Sequence, residues 1–321
     1  MNCYFLINTV SGGHQGLKVA AALESLIRSG SLAGRVVLMR LAHLKEQLEE
    51  ARDFDMIIIG GGDGSFSHVL SRPQAMNLRI GLLPLGTGND LAREMGIGRT
   101  KISKLHKMVA MQSEAQTSTF QIWRFDYGGN FEHHINFCNY VSLGFDGCVI
   151  DSFSRWRARI PVFSKLGGRH ANRLGYFLAG LRHCRSKINL EGLRIEADGE
   201  VCALKPAWVR SLMITNISSV MGVGISNVMS NCFDDKIELS VCSTFLHYAS
   251  MITSHKTLLP KPIDLGGHES WKLSGIPPGI KFQIDGEARP EVTTSQFRVV
   301  KAHTVKLVRM LANSMAPQAR F

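Results

Sequence analysis

Four consecutive apolar residues, Met56 to Ile59, run directly into Gly60-Gly61-Gly62-Asp63-Gly64-Ser65, and a helical pattern begins at Phe66. A short apolar run bounded by glycines predicts a buried strand. The turn into the helix carries almost no side chains, so backbone N–H groups can approach a phosphate closely. The helix N-terminus adds a favourable dipole of roughly 0.3–1 kcal/mol per charge. Ser65 is placed to cap that helix. Asp63 is the informative residue. A carboxylate among phosphate-cradling amides repels the ligand unless a divalent cation lies between them, so the string suggests a metal–nucleotide site. A tight strand-to-helix turn, with the aspartate only a turn former, stands beside that reading.

The pattern repeats one strand later. Ile80 to Leu83 is followed by Pro84-Leu85-Gly86-Thr87-Gly88-Asn89-Asp90 and a helical start at Leu91. Gly86 and Gly88 give backbone access, Thr87 a hydroxyl, and Asn89 or Asp90 a helix cap. A third loop, Asn8-Thr9-Val10-Ser11-Gly12-Gly13, follows a first strand over Cys3 to Asn8. Helices are predicted over Leu17–Arg28 and Leu44–Arg52, with a strand over Val36–Leu41 between them. Repeated βα units imply a parallel sheet covered by helices, with ligands at the carboxyl ends of its strands.

From about Thr117 the texture changes to β-branched and aromatic runs with turns at Gly128-Gly129-Asn130, Asp198-Gly199 and Asp285-Gly286. Strands are predicted over Thr119–Tyr127, Phe131–Val141, Leu193–Ala197, Val201–Leu204, Val209–Asn216, Ile237–Cys242, Lys281–Ile284 and Phe297–Lys301. Helical inserts fall near Leu174–Arg182 and Phe245–Leu258. The expected organisation is therefore α/β, with a parallel-sheet domain over 1–116 and a largely antiparallel domain over 117–303. At 321 residues and 45% apolar content, two such domains can each bury a core.

The 37 Lys+Arg against 26 Asp+Glu leave a formal charge of +11, which predicts an anionic partner without choosing among nucleic acid, membrane and phosphorylated substrate. Nine of those cations, Arg155, Arg157, Arg159, Lys165, Arg169, Arg173, Arg182, Arg185 and Lys187, fall in one acid-free stretch interleaved with Trp156, Phe163 and Tyr176. Cations with aromatic wedges suit an anionic bilayer, and a solvated basic helix face is the plainer alternative. No RNA- or DNA-binding motif accompanies them, so nucleic acid is not the expected partner. The seven scattered cysteines contain no C-x-x-C pair and read as reduced thiols. No apolar run approaches bilayer-spanning length, and Met1 to Asn8 reads as a buried strand rather than a signal peptide. Walker A, protein-kinase and HExxH motifs are absent.

GGDGS at Gly61–Ser65 together with LPLGTGNDLAR at Leu83–Arg93 resembles the catalytic domain of the diacylglycerol kinase family, the lipid kinases related to sphingosine and ceramide kinases. GGDG alone is shared with NAD kinases and phosphofructokinases; the pair at this spacing is far more specific. The resemblance extends to SGGHQG at Ser11–Gly16, NYVSLGFDG at Asn139–Gly147 and QIDGE at Gln283–Glu287. It implies a nucleotide domain resembling NAD kinase and phosphofructokinase, joined to a β-sandwich lipid-substrate domain, with catalysis in the cleft. The last strand, near 304–311, is implied to return to the first domain.

The implied activity is ATP- and Mg²⁺-dependent phosphorylation of the hydroxyl of diacylglycerol to phosphatidic acid, by a cytoplasmic enzyme peripherally associated with the membrane. Another acceptor (ceramide, a sphingoid base or phosphatidylglycerol) and a non-catalytic lipid-binding regulator of the same fold are the rivals. By motif match the ATP-binding residues are Asn8, Ser11, Gly61, Gly62, Asp63, Gly64, Ser65, Phe66, Ser67, Gly86, Thr87, Gly88 and Asn89. Asp63 and Asp90 match the acidic residues linked to Mg-ATP, and Glu287 matches the proposed general base. Asp198-Gly199-Glu200 repeats the DGE string, which on its own signals only a hairpin turn. Phe233-Asp234-Asp235-Lys236-Ile237 resembles a stretch that in bacterial members holds a second, structural Mg²⁺, implying Asp235 with the carbonyls of Cys232 and Ile237 as ligands. Three departures stand out: Thr9 replaces the usual proline of the first loop, Leu41 or its neighbours lie where some bacterial members carry a threonine, and Lys236 replaces the usual glycine.

Overall fold

A computed structural model describes residues 1–159, 169–204, 207–220, 224–225, 230–253 and 258–310; within these, the side chains of 169–173 and 224–225 are not described. The chain divides into two units, one formed by Met1–Phe120 with the C-terminal segment from His303, the other by Gln121–Ala302.

In the first unit, strands β1 (Asn2–Ile7), β2 (Ala33–Leu38), β3 (Met56–Gly61) and β4 (Arg79–Pro84) alternate with helices α1 (Ser11–Arg28), α2 (Leu44–Glu50), α3 (Asp63–Leu70), α4 (Asp90–Glu94) and α5 (Leu105–Glu114). The four strands are parallel in the order β2–β1–β3–β4. β1 and β3 are apolar through nearly their whole length because helices cover both faces: Tyr4 to Ile7 and Ile57 to Ile59 are essentially without solvent contact. The order reverses direction between β1 and β3, which places the topological switch point of the sheet at their carboxyl ends.

Several boundaries differ from expectation. β2 starts at Ala33 and stops at Leu38, and Leu41 opens a short 3₁₀ turn, so hydrophobicity there marks a helix entry instead of a strand end. α3 begins at Asp63, placing the acid inside the first helical turn. Gly30, at φ +73°, closes α1, with the Ser31 amide donating to the Leu26 carbonyl.

The second unit carries β5 (Thr117–Tyr127), which starts within the first unit, then β6 (His133–Phe137), β7 (Tyr140–Gly144), α6 (Phe145–Arg159), α7 (Arg169–Arg182), β8 (Arg194–Ala197), β9 (Glu200–Cys202), β10 (Ser211–Thr215) and β11 (Ile237–Cys242). α8 (Phe245–Ile252), β12 (Ile263–His268), β13 (Ser270–Ser274), β14 (Phe282–Ile284), β15 (Glu287–Ala288) and β16 (Gln296–Val308) complete it. One antiparallel sheet runs β12–β11–β10–β7–β14–β15. Another runs β9–β8–β13–β16–β5–β6. Trp123, Phe125, Phe137, Trp271 and Phe297 from the second sheet meet Val141, Leu143, Leu212, Leu239 and Phe282 from the first in one buried cluster. This is the β-sandwich the resemblance implied.

The single strand expected over Phe131–Val141 is two, broken at Cys138-Asn139 because the chain there changes sheets. α6 has no counterpart among the expected elements, since its alternating polar and apolar residues lack a clean helical stripe. β16 is longer than expected. Beyond Ala302 it belongs to the first unit, where Lys306 and Leu307 pair in parallel with Arg79 and Ile80 of β4.

Candidate active site

Three strand-end loops of the first unit interlock at the carboxyl ends of β1, β3 and β4. The Asn8 amide donates to the Gly60 carbonyl at 2.8 Å, and its side-chain Nδ2 donates to Ser65 Oγ at 2.8 Å, tying the loop after β1 to the one after β3. The Leu85 amide donates to the Gly61 carbonyl at 2.7 Å, tying in the loop after β4. Gly62 and Gly86 lie against each other: a Cβ on Gly86 would stand 2.8 Å from the Gly62 Cα and 2.9 Å from Asn89 Oδ1. Gly12, at φ +62°, approaches so closely that a Cβ would meet the Leu85 carbonyl at 2.2 Å. Only glycine permits these contacts, which explains why three separate glycine clusters occur where they do. Ser11 adjoins Gly62, so Asn8, Ser11, Gly61, Gly62, Asp63, Gly64, Ser65, Gly86 and Asn89 are gathered on one edge. Thr87 is exposed beside them, with Gly88 half-buried.

The N-cap of α3 is Gly62, which leaves the amides of Asp63, Gly64 and Ser65 without intrahelical acceptors. The Phe66 amide already donates to the Gly62 carbonyl at 3.0 Å and its ring is fully buried, so Phe66 supports the core and offers nothing to a phosphate. Ser67 is half-buried, one turn into the helix. Neither Ser65 nor Asn89 caps a helix with its side chain. Ser65 Oγ is the acceptor for Asn8 and caps nothing, while Asn89, at φ +56°, turns its amide nitrogen back to the Gly86 carbonyl at 2.8 Å. Asp63 caps α4 from the neighbouring loop: its Oδ1 accepts the Leu91 amide at 3.1 Å, and the amides of Asp90 and Asn89 also favour its ionised form.

Burial, with the adjoining Asp90 second, nevertheless pushes the Asp63 carboxyl up to about 6. Asp90 is buried and pairs with Arg93 at 2.8 Å, while Arg93 also donates to the Gly88 carbonyl at 3.0 Å. Two mutually repelling acids beside unpartnered amides fit a divalent cation that arrives with phosphate. Among the described residues no cluster of three or more His, Cys, Asp or Glu side chains could hold a metal. A cation here would complete its shell from phosphate and water, the usual habit of Mg²⁺.

In the second unit Glu287 opens β15, immediately after a two-residue turn of Asp285 (φ +50°) and Gly286 (φ +80°). Both left-handed positions are required by a tight hairpin of this kind. The turn is held at three levels. Asp285 accepts the amides of Cys138, Asn139 and Tyr140 at 2.9, 2.7 and 3.1 Å. Gln283 accepts the Gly286 amide at 2.8 Å and donates to Ser142 Oγ at 2.7 Å. Arg289 donates to Glu287 Oε2 at 3.1 Å. Asp198 and Gly199 form a similar turn, at φ +50° and +88°, so local backbone geometry does not distinguish the two DGE strings.

Behind this hairpin lies a buried acid that motif reading passes over. Asp146 opens α6 and is pushed up to about 6 by burial, against hydrogen bonds from Tyr248, Ser211 and Ser142. Its Oδ2 has no hydrogen-bond partner among the described residues. Ser142 links it to Gln283 and thereby to the Glu287 turn. Asp146, Gln283 and Asp285 all lie inside strings that match the family, which is the signal the sequence offers for them.

Asp235, at φ +60°, stands just before β11. Its Oδ1 accepts from Gln121 Nε2 at 2.9 Å and pairs with the Lys301 ammonium. The Ile237 carbonyl accepts the Trp271 indole N–H at 2.7 Å, and Cys232 is buried.

The family model for the diacylglycerol kinase catalytic domain matches residues 2–122, and that for the diacylglycerol kinase accessory domain matches 136–288. Among curated proteins the chain is 28% identical over 249 residues to a probable diacylglycerol kinase 3 of Caenorhabditis elegans, covering 68% of this chain and 30% of that protein. It is 33% identical over 123 residues to mouse diacylglycerol kinase delta, covering 36% of this chain and 10% of that one. The chain thus spans under a third of the length of these relatives. A diacylglycerol kinase crystal structure from Bacillus anthracis superposes with a TM-score of 0.66 at 17% identity, over 97% of this chain and 98% of that one. Yeast NADH kinase superposes at 0.53 with 12% identity, over 100% and 90%, so the NAD-kinase-like fold is shared. With the glycine-loop rim on one unit and the QIDGE hairpin on the other, the chain belongs to the diacylglycerol kinase family and carries its catalytic and accessory domains.

Proposed function

We propose that the chain is a lipid kinase that transfers the γ-phosphate of Mg-ATP to the hydroxyl of diacylglycerol, giving phosphatidic acid and ADP. The observation that carries this is the interlocked rim at the switch point, where the amides of Asp63, Gly64 and Ser65 and the paired acids Asp63 and Asp90 meet. The amides hold phosphate oxygens and spread the charge that develops on the transferring group. Asp63 orients the N-terminus of α4 and, with Asp90, would hold a divalent cation, which would supply neutralisation of the phosphate charge. Glu287, steadied by Arg289 and the Asp285 turn, accepts the hydroxyl proton as the lipid oxygen bonds to phosphorus and the bond to the bridging oxygen of ADP breaks. A radiolabelled-ATP assay across diacylglycerol, ceramide, sphingosine and phosphatidylglycerol tests the acceptor, with strongest turnover expected on diacylglycerol. Glu287→Gln is expected to lower kcat by roughly 10²–10⁴. Near-full activity in that variant refutes the base, and preferred labelling of another lipid refutes the acceptor.

A lipid acceptor requires bilayer access, and α7 supports an anionic membrane as partner. The helix buries its small residues Gly175 and Ala179 and exposes its large ones: Leu174, Phe177, Leu178 and Leu181 are 54, 61, 41 and 54% exposed. These four share one face at helical spacing. Arg157, Arg159, Arg182, Arg185 and Lys187 are exposed or half-exposed nearby in sequence, whereas Arg155 pairs with Asp151 at 2.9 Å. Among the aromatic residues, Tyr176 stacks on Phe153 with ring centres 4.1 Å apart and stays 39% exposed, and Phe177, which motif and charge pattern do not single out, is the more outward ring. Lys165 and Phe163 lie outside the described residues, as do the side chains of Arg169 and Arg173. Each cation near an anionic surface contributes roughly 1 kcal/mol. Phe177→Glu with Leu181→Glu is expected to abolish sedimentation with phosphatidylserine vesicles while leaving turnover of a soluble short-chain diacylglycerol intact. Unchanged or salt-insensitive sedimentation refutes this surface.

A further inference from the structure

The resemblance implied a divalent cation on Asp235, completed by the carbonyls of Cys232 and Ile237, and the residues present do not fit one. We infer that the ammonium of Lys301 takes the place of that cation, so that this corner of the accessory domain is cross-linked by the chain itself and needs no metal.

Three observations carry the inference. Asp235 Oδ1 is already shared by the Lys301 ammonium and the Gln121 amide. Gln121 and Lys301 stand on β5 and β16, neighbours in one sheet, whereas Asp235 leads into β11 of the opposite sheet. Their contacts therefore perform the task a bound cation would have there, fastening the turn before β11 to the facing sheet. The Ile237 carbonyl is likewise committed, to the Trp271 indole on β13 of that same facing sheet. Lys236, where glycine is usual, adds a second positive charge beside the site, with its amide on Asp234 Oδ1 at 3.1 Å. A divalent ion at this carboxylate would have to displace the Lys301 ammonium or bind against its charge, and would share the Ile237 carbonyl with the Trp271 indole.

The test uses the full chain, stripped of metal and free of nucleotide, with thermal unfolding followed with and without millimolar MgCl₂. Wild type and Asp235→Asn are expected to respond identically to Mg²⁺, because any response arises elsewhere. Lys301→Met, which keeps the aliphatic stem, is expected to lower the midpoint by about 0.5–4 °C, the scale of one exposed ion pair in a domain of this size. Mg²⁺ should restore some of that loss, and Asp235→Asn in the same background should abolish the restoration. A Mg²⁺-induced rise in wild type that Asp235→Asn removes overturns the inference. So does an unchanged midpoint in Lys301→Met, or a drop that Mg²⁺ does not repair, since Lys301 would then not stand in for a cation. Should Lys301→Met not fold, direct Mg²⁺ binding to wild type and Asp235→Asn by calorimetry decides the matter, a site present only in wild type being the refuting result.

Discussion

Asp146→Asn is expected to make the accessory domain more stable relative to wild type as pH rises, and the size of the effect follows from the site. The wild-type carboxyl is fully enclosed by Tyr248, Ser211, Ser142 and Cys242, with one oxygen unpartnered. Burial outweighs the hydrogen bonds and raises it from 3.8 to about 6. The folded state thus binds this proton more tightly than the unfolded chain does. The cost of ionising it is absent well below pH 3.8, grows through the interval, and is complete above about pH 6 at about 3 kcal/mol. Asparagine has the same shape and no charge, so the stability difference between variant and wild type should move by about 2 kcal/mol between about pH 4.5 and about pH 7.5. For a domain of this size that is about 4–8 °C in the difference between the two Tm values. Hydrogen bonds lost or gained by the amide add a constant that does not depend on pH. Differential scanning calorimetry of both proteins at a series of pH values reads the slope directly. A difference flat across that range means that Asp146 is ionised without cost, and refutes the account.

Asp63→Asn should remove phosphotransfer while raising the stability of the nucleotide-free protein above about pH 6, by at most about 3 kcal/mol and less to the extent that solvent reaches the carboxylate; retained turnover, or a loss of stability at about pH 8, contradicts the role assigned to it. Gly86→Ala places a methyl 2.8 Å from the Gly62 Cα and must push the two glycine loops away from each other, so ATP KM should rise about tenfold or more with the circular dichroism spectrum unchanged, and an unaltered KM argues against this rim as the nucleotide site. Glu238, buried opposite Thr215 and raised from 4.5 to about 7 chiefly by burial, contributes a cost that grows between those pH values. Glu238→Gln should therefore gain stability over wild type from about pH 5 to about pH 8, and an equal Tm difference at both ends of that range would exclude it.

Much of this is legible in the chain before its fold. The βα alternation, the glycine strings after β3 and β4 and the change of texture near Thr117 each report on neighbours a few residues away, and local sterics and hydrophobic periodicity express those directly. What the sequence could not carry is reciprocity between distant segments. Ser65 and Asn89 have the composition of caps, yet Ser65 accepts from Asn8 and Asp63 caps the helix after Asn89, because the interlocked loops offer each group a nearer partner than its own helix. Phe66 shares the glycine string but belongs to the core, since the fourth amide of a helix already has its acceptor. α7 is amphipathic in sequence and inside-out in structure, its small residues meeting the protein and its large ones left outward. The Asp235 turn reads as a cation loop until β5 and β16 bring Gln121 and Lys301 to it from 114 and 66 residues away. The two-domain α/β and β-sandwich plan and the positions of the glycine-rich turns were written in the chain, because these follow from backbone freedom and apolar spacing. The tertiary structure alone decided which polar group satisfies which, because a buried donor or acceptor takes whichever partner the packed chain brings within about 3 Å, regardless of its distance in sequence.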